Sequence, residues 1–283
     1  MKLALLAILL ALPAQARRHH PRRRPAGPPP ARVEDDPRKK GDSPAFAKAA
    51  VKFASPAELS QLEESAPVRI ELAVTGYAVG ALQPGGPLPH AHLIVDNEPA
   101  LEIDDVSQPL LLKGLARGPH LLRAVLCRPW HEVVKAPRAF AMARFWIGPT
   151  LTGKSGKAAE YVAWPDPKKP ILTYVLPVGP APPAGLSLAR EGANAAEVEP
   201  PADPPGERPV LDFYLANGRL ARRGDKLRIV LDRRELPLIV EWKPQRLRRA
   251  HAGTHKVTID LLNRRGLKVK NAVNRTDRVF VAR

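Results

Sequence analysis

The sequence predicts a mainly β protein: two tandem β-sandwiches, with a short helical segment before the first and a disordered N-terminal arm. Three observations predict it. Thirty-three prolines against nineteen glycines weigh against a helical protein, because each interior proline costs a helix about 3 kcal/mol. Apolar residues recur with period two over short runs, as in Val68, Ile70, Leu72 and Val74, with Arg69, Glu71 and Ala73 between them. Turn residues separate such runs at the spacing of sandwich strands, including Pro84-Gly85-Gly86-Pro87, Asp96-Asn97 and Arg117-Gly118-Pro119.

The chain begins with Lys2, a charge-free apolar run from Leu3 to Leu12, then Pro13 and the small-x-small triplet Ala14-Gln15-Ala16. This is the pattern of a secretory signal peptide, 1–16, cleaved after Ala16. The run is too short for a membrane span, which needs roughly 20 apolar residues. No other stretch is long and apolar enough, so the mature chain is expected to lack a transmembrane span and to be secreted, periplasmic or held at the cell envelope.

Residues 17–42 form a basic, Pro/Arg-rich arm in which Val33 is the one aliphatic side chain larger than alanine. Such a segment buries too little apolar surface to offset its ordering entropy. Residues 43–66 carry two helix-start signals, Ser43-Pro44 and Ser55-Pro56, the second with Glu58 at capping-box spacing. Short helices are expected there.

The first sandwich, 67–150, takes its strands from 68–74, 90–96, 99–104, 109–115, 120–127 and 140–147. Residues 151–170, with TGKSGK, read as a polar loop or linker. The second sandwich, 171–283, opens on ILTYVLP, is interrupted by a disordered Pro/Ala-rich insertion at 178–208, and continues through VLDFYLANG, KLRIVLD, ELPLIVEW, QRLRRAH, THKVTIDLL, LKVKNAV and DRVFVAR. The lone Cys127 allows no internal disulfide, so both folds must rest on aliphatic cores.

An internal repeat links the halves. LIVD ending at Asp96 leads to Gly118-Pro119-His120 and LLRAVL, and IVLD ending at Asp232 leads to Gly253-Thr254-His255 and KVTIDLL. Each aspartate closes a turn and each glycine gives the backbone freedom to enter a central strand. These features resemble bacterial extracytoplasmic immunoglobulin-like or fibronectin III-like modules. VDNEPALEIDDVSQPLLLKGLARGPHLLRAVLCRPWHE, with ILTYVLP and LDFYL, is similar to a family of exported bacterial proteins with paired sandwiches, over roughly residues 68–283. The resemblance implies fold and location and assigns no activity to any residue.

Charge is uneven. Residues 17–40 hold nine Lys/Arg against three Asp/Glu, +6; residues 41–218 hold sixteen against nineteen, −3; residues 219–283 hold nineteen against six, +13. An anionic partner should therefore favour the arm and the second sandwich. The candidate contacts are Arg222, Arg223, Arg233, Arg234, Arg246, Arg248, Arg249, Arg264 and Arg265, which flank turns that converge at the ends of a sandwich. Export argues against nucleic acid as that partner and favours an anionic envelope polymer or a lipid surface.

Arg128-Pro129-Trp130-His131-Glu132 gathers an aromatic, an imidazole and a carboxylate after a strand. Trp130 and His131 are candidate contacts for a protein partner or a sugar ring, the alternative being Trp130 as a core cap. His90 and His92 point the same way in a strand and with His120 or His131 would make a tetrahedral donor set, but no Cys or His-rich motif supports it. His120 and His255 read as turn histidines, Asp104 and Asp105 as a turn pair, and no metal or cofactor is expected. No nucleophile elbow, zinc-protease helix or complete phosphate loop is present. The expectation is a non-catalytic envelope binding or scaffolding protein, the alternative being an accessory module that binds a protein through loops near Trp130.

Overall fold

The computed structural model describes residues 32–35, 46–80, 88–179, 185–191, 209–248 and 250–282. The signal peptide, most of the arm, the Pro84–Pro87 turn, most of the 178–208 insertion and Arg249 lie outside them.

The strands that precede and build the first sandwich are β2 (Ala50–Ser55), β3 (Ser60–Leu62), β4 (Val68–Thr75), β5 (His90–Val95), β6 (Leu101–Ile103), β7 (Leu110–Lys113), β8 (Gly118–Cys127) and β9 (Phe140–Ile147), after the short β1 (Arg32–Asp35). A single helix among the described residues, α1 (Gly153–Ala163), leads to β10 (Ile171–Leu176), β11 (Ser187–Arg190), β12 (Val210–Ala216), β13 (Lys226–Leu231), β14 (Arg234–Glu235), β15 (Gln245–Arg248), β16 (Gly253–Leu262) and β17 (Arg275–Ala282).

These strands form four sheets, ordered β11-β7-β4-β2, β3-β9-β8-β5-β6, β1-β15-β12-β10 and β14-β13-β16-β17. The first two share one aliphatic core, with Val51, Ile70, Leu112 and Leu188 from one sheet meeting Leu93, Leu101, Leu122 and Phe145 from the other. The last two share a second core of Leu172, Leu211, Phe213 and Leu247 against Leu227, Ile229, Ile259 and Phe280. The chain is therefore mainly β and built as two sandwiches, as its periodicity predicts.

Four expectations are corrected. Residues 43–66 hold strands where helices were expected: β2 runs antiparallel to β4 from Ala50 opposite Thr75 to Ser55 opposite Glu71, and β3 pairs in parallel with β9. Alternating burial over Ala50–Ser55 and the ladder to β4 outweigh the capping signal, and Glu58, placed to cap a helix, instead grips Arg144 through both carboxylate oxygens. Within the 151–170 linker, the Ala, Lys and Glu residues of KAAEYVA carry α1. Ser187–Arg190, inside the insertion, forms β11 and extends the first sandwich by pairing with β7. Arg32–Asp35 of the arm pairs antiparallel with β15, from Arg32 opposite Arg248 to Asp35 opposite Gln245. Two further runs, ELPLIVEW and LKVKNAV, contribute only isolated bridges from Ile239 and Lys268 beyond β14's Glu235; Pro237 and Asn271 interrupt them.

The outer face of the five-stranded sheet fixes how the rest is arranged. Along β5, Ala91, Leu93 and Val95 face the core, which leaves His90, His92 and Ile94 on the other side. Their partners on β8 are Cys127, Val125 and Arg123, and all six are buried. Part of the cover comes from the second sandwich. Arg123 donates to Leu172 O and Thr173 Oγ1 of β10 as well as to Asp96 O and Asn97 Oδ1, and burial lowers its pKa to about 9. Lys135 Nζ, wholly buried, lies 2.9 Å from Asp212 Oδ1 of β12. Asp212 also accepts from the backbone N–H of Val133 and of Phe213, and Tyr214 donates its hydroxyl to Ala136 O at 2.6 Å. The Cys127 thiol, buried on the same face, is held protonated because burial drives its pKa far up.

Removing one member of a buried ion pair leaves the other charged and unsolvated, which typically costs about 3–5 kcal/mol. Asp212→Asn should therefore destabilise the protein by about that amount in urea unfolding, with both sandwiches lost in one transition; unchanged stability would show that Lys135 finds another partner.

Candidate functional site

Two histidines of β5 and a third from the turn after β8 meet on the covered face of β5. His90 and His92 lie two residues apart and point the same way, as period two requires. His131 arrives from the turn after β8, where Arg128 N–H donates to Glu132 O at 2.8 Å and His131 N–H to Arg128 O at 2.9 Å. His131 has φ 62, a left-handed conformation that is uncommon for a residue other than glycine. That bend brings its ring over β5. His90 Nε2 lies 3.1 Å from His92 Nε2, and His131 Nδ1 lies 3.0 Å from the first and 3.4 Å from the second.

The fourth member is Glu102. It stands opposite His92 across the β5–β6 ladder, with Oε1 3.6 Å from His90 Nδ1 and Oε2 3.9 Å from His131 Nδ1. His90 and His92 are sealed inside, while His131 and Glu102 are 16% and 30% exposed and form the solvent side. His90 Nδ1 is 2.8 Å from Leu88 O; a carbonyl only accepts, so Nδ1 carries a proton, and in the neutral ring Nε2 then presents a lone pair. Burial, then the neighbouring His90 and His131, hold His92 neutral far below the usual imidazole range. Sequence reasoning set metal binding aside for this group. It named His90, His92 and His131 but missed Glu102, which only strand pairing brings into place.

The same turn positions Trp130. Its indole N–H donates to Glu132 Oε2 at 2.9 Å, and the Arg128 guanidinium lies over both the Phe46 and Trp130 rings. Burial raises the Glu132 pKa, opposed by the Trp130 hydrogen bond. Trp130 is nevertheless 43% exposed, a ring fixed at the surface rather than a core cap.

His120 and His255 turn out to be equivalent parts of a repeated clasp. His120 Nδ1 is 2.9 Å from Asp96 Oδ2 and its Nε2–H donates to Ala116 O at 2.7 Å; His255 Nδ1 is 2.7 Å from Asp232 Oδ2 and its Nε2–H donates to His251 O at 2.7 Å. In each copy the other carboxylate oxygen accepts the backbone N–H after the histidine, from Leu121 or Lys256. The aspartates share φ values of 51 and 49, the glycines that precede the histidines 136 and 135, and each imidazole lies over a phenylalanine of the next strand, Phe145 or Phe280. With an acceptor at both nitrogens, each ring is placed to hold both protons. Burial lowers both pKa values, but the aspartate and the carbonyl outweigh it and the net direction is up.

The arginines separate into groups. β13 and β16 are antiparallel, with Lys226 opposite Leu262 and Leu231 opposite Val257. The turn before β13, with Arg222 and Arg223, and the turn after β16, with Arg264 and Arg265, therefore share one end. Lys226 ties them, donating from Nζ to Gly224 O at 3.0 Å and Arg264 O at 3.5 Å. Arg233 and Arg234 occupy the opposite end, and Arg246 and Arg248 lie along β15. Arg222, Arg223, Arg264 and Arg265 are exposed and make no ion pair among the described residues. Arg228, Lys268 and Arg275, by contrast, surround buried Asp260 at 3.0–3.2 Å.

An open groove of about 540 Å³ runs beside α1, lined by Lys157, Trp164 and Lys270 among others. Two of its cations, Arg144 and Lys169, are already paired with Glu58 and Asp166. Asp105 accepts from Ser107 N–H and Asp104 meets Arg190, which fits the turn role given to this pair. TGKSGK opens α1.

No family model and no curated protein matches the chain. Among solved structures, it is similar to the fibronectin(III)-like modules of Clostridium thermocellum CbhA at 10% identity, covering 82% of this chain and 94% of that one with a TM-score of 0.26. It is also similar to the Bacteroides ovatus mixed-linkage glucan utilization locus protein SGBP-B, solved with a mixed-linkage heptasaccharide, at 11% identity, 82% and 70% coverage and a TM-score of 0.21.

A histidine whose folded pKa lies above its unfolded value of about 6.5 stabilises the fold fully below that value, and the contribution is lost as pH rises through the folded pKa. His92 has the opposite sign, since it must be neutral to stay buried. Comparing the parent with a His120→Gln/His255→Gln double variant isolates the clasps. Parent stability should fall more steeply than the variant's between about pH 6 and 8, read by urea midpoints, and parallel curves would show that these rings are neutral in the fold.

Proposed function

We propose that the chain is a non-catalytic binding protein of the cell envelope, whose basic second sandwich and arm engage an anionic envelope polymer. The observation that carries this reading is the group of four guanidiniums, Arg222, Arg223, Arg264 and Arg265, brought to one end of the sandwich without a carboxylate partner among the described residues. Elsewhere in the same domain the fold does pair its cations, as around Asp260. Like charges held in adjacent turns repel, and a bound anion relieves that repulsion. Guanidinium is also the side chain best shaped for carboxylate, sulfate and phosphate oxygens. The leader read from the sequence supports an extracytoplasmic setting.

The two ends of the domain provide an internal control. Replacing Arg222, Arg223, Arg264 and Arg265 with glutamine should weaken binding to an acidic polysaccharide such as polygalacturonate by at least roughly tenfold and flatten its salt dependence, while Arg233→Gln/Arg234→Gln changes it less. Equal losses from both variants would reduce the effect to net charge and remove the site. Preferential binding to anionic lipid vesicles would redirect the reading to a membrane surface.

A second reading rests on Trp130, a rigid and part-exposed ring of the kind that anchors protein interfaces. It predicts that Trp130→Ala abolishes capture of an envelope protein without lowering thermal stability and with little sensitivity to salt. If capture survives, the anchor lies elsewhere.

A further inference from the structure

We propose that His90, His92 and His131, with Glu102 on the solvent side, form a binding site for one first-row divalent transition-metal ion of the zinc class. The case begins with the three nitrogens. Around an ion about 2.0–2.1 Å from each nitrogen, tetrahedral ligands stand about 3.3 Å apart. Here the separations are 3.0, 3.1 and 3.4 Å.

Hydrogen bonding among the rings accounts for only part of this geometry. With Nδ1–H donating to Leu88 O, the neutral His90 ring turns its Nε2 lone pair to the cluster. An N–H···N bond joins only two of the three inward nitrogens. A cation satisfies all three at once. The contact of His90 Nδ1 with a backbone carbonyl is also the outer-shell bond that fixes the ligating tautomer at metal sites.

Burial adds a second argument. Three imidazole rings have centroids only 4.6–5.6 Å apart on a face otherwise closed by Val125, Ile94 and Cys127. Polar rings crowded in this way lower no hydrophobic free energy, and a sheet face of this kind is normally aliphatic. The left-handed His131 backbone, which brings the third ring in, is a further local cost of the kind that collects at functional positions.

The donor set selects the ion. Imidazole with one carboxylate and no thiolate suits Zn²⁺, Cu²⁺ or Ni²⁺, whereas Mg²⁺ and Ca²⁺ prefer oxygen cages. All four candidate donor atoms lie within 4.8 Å of one another, with the carboxylate farther out than the nitrogens. Glu102 can therefore close the fourth position or leave it to water, and it lies on the path by which an ion would enter.

The test uses the purified protein, stripped with a chelator and titrated with Zn²⁺ by calorimetry, and with Co²⁺ for the intense visible bands of a four-coordinate site. One equivalent should bind and raise the melting temperature, since the ion favours the folded state. His131→Gly, which keeps the left-handed turn without strain, should lose that equivalent and the cobalt bands while melting normally without metal. Glu102→Gln should weaken binding roughly tenfold or more. Because His19 and His20 in the arm are an independent source of weak zinc binding, the comparison with His131→Gly decides the matter. Unchanged stoichiometry and affinity in that variant, or no uptake by the parent, would overturn the site.

Discussion

The outer face of the β3-β9-β8-β5-β6 sheet is buried, and most of the architecture follows from that constraint. In an ordinary sandwich each sheet shows one face to water, so inward apolar residues alternate with outward polar ones. Here the outward residues of β5 and β8 are buried as well, and two of them are polar rings and one is an arginine. A buried guanidinium and a buried ammonium are tolerated only when every nearby oxygen is well placed. Those oxygens belong to both sandwiches: Asp96 and Asn97 from the first, Leu172, Thr173 and Asp212 from the second. The seam is thus specified by polar geometry, not only by apolar area, and that geometry fixes one orientation of the second sandwich against the first.

The repeated aspartate–histidine clasp shows one local solution placed in two environments. In each copy the carboxylate binds both an imidazole ring and a backbone N–H of the central strand, so a single side chain sets the turn and the strand register together. In the first copy this corner adjoins the seam, where Trp164 donates to His120 O. In the second it faces water, and the flanking positions carry arginine. Two modules with the same internal joint therefore differ on their surfaces, one covering a partner domain and the other carrying positive charge.

What the sequence made legible depended on the range of the interaction. Strands with local alternation, such as 68–74 and 140–147, were readable, and so was the Asp96–His120 and Asp232–His255 correspondence, because strand entry and turn chemistry are written in nearby residues. The segment 50–62 was misread because its local capping signal opposed a ladder to β4 that only the folded sheet supplies. At the histidine cluster, the pair on β5 was visible from period two, and His131 was one of two proposed partners. Glu102 was hidden because its role comes from register across β5 and β6. The partnership of Lys135 with Asp212 was equally hidden, being a contact between residues of different sandwiches.

Cys127 lies on the inner side of that same seam, protonated and out of contact with solvent. If the leader carries the chain to an oxidising compartment, a lone thiol there would ordinarily cross-link one molecule to another. Its place in the core cluster of the first sandwich takes it out of reach, so the packing that stabilises this half also shields the chain from covalent cross-linking.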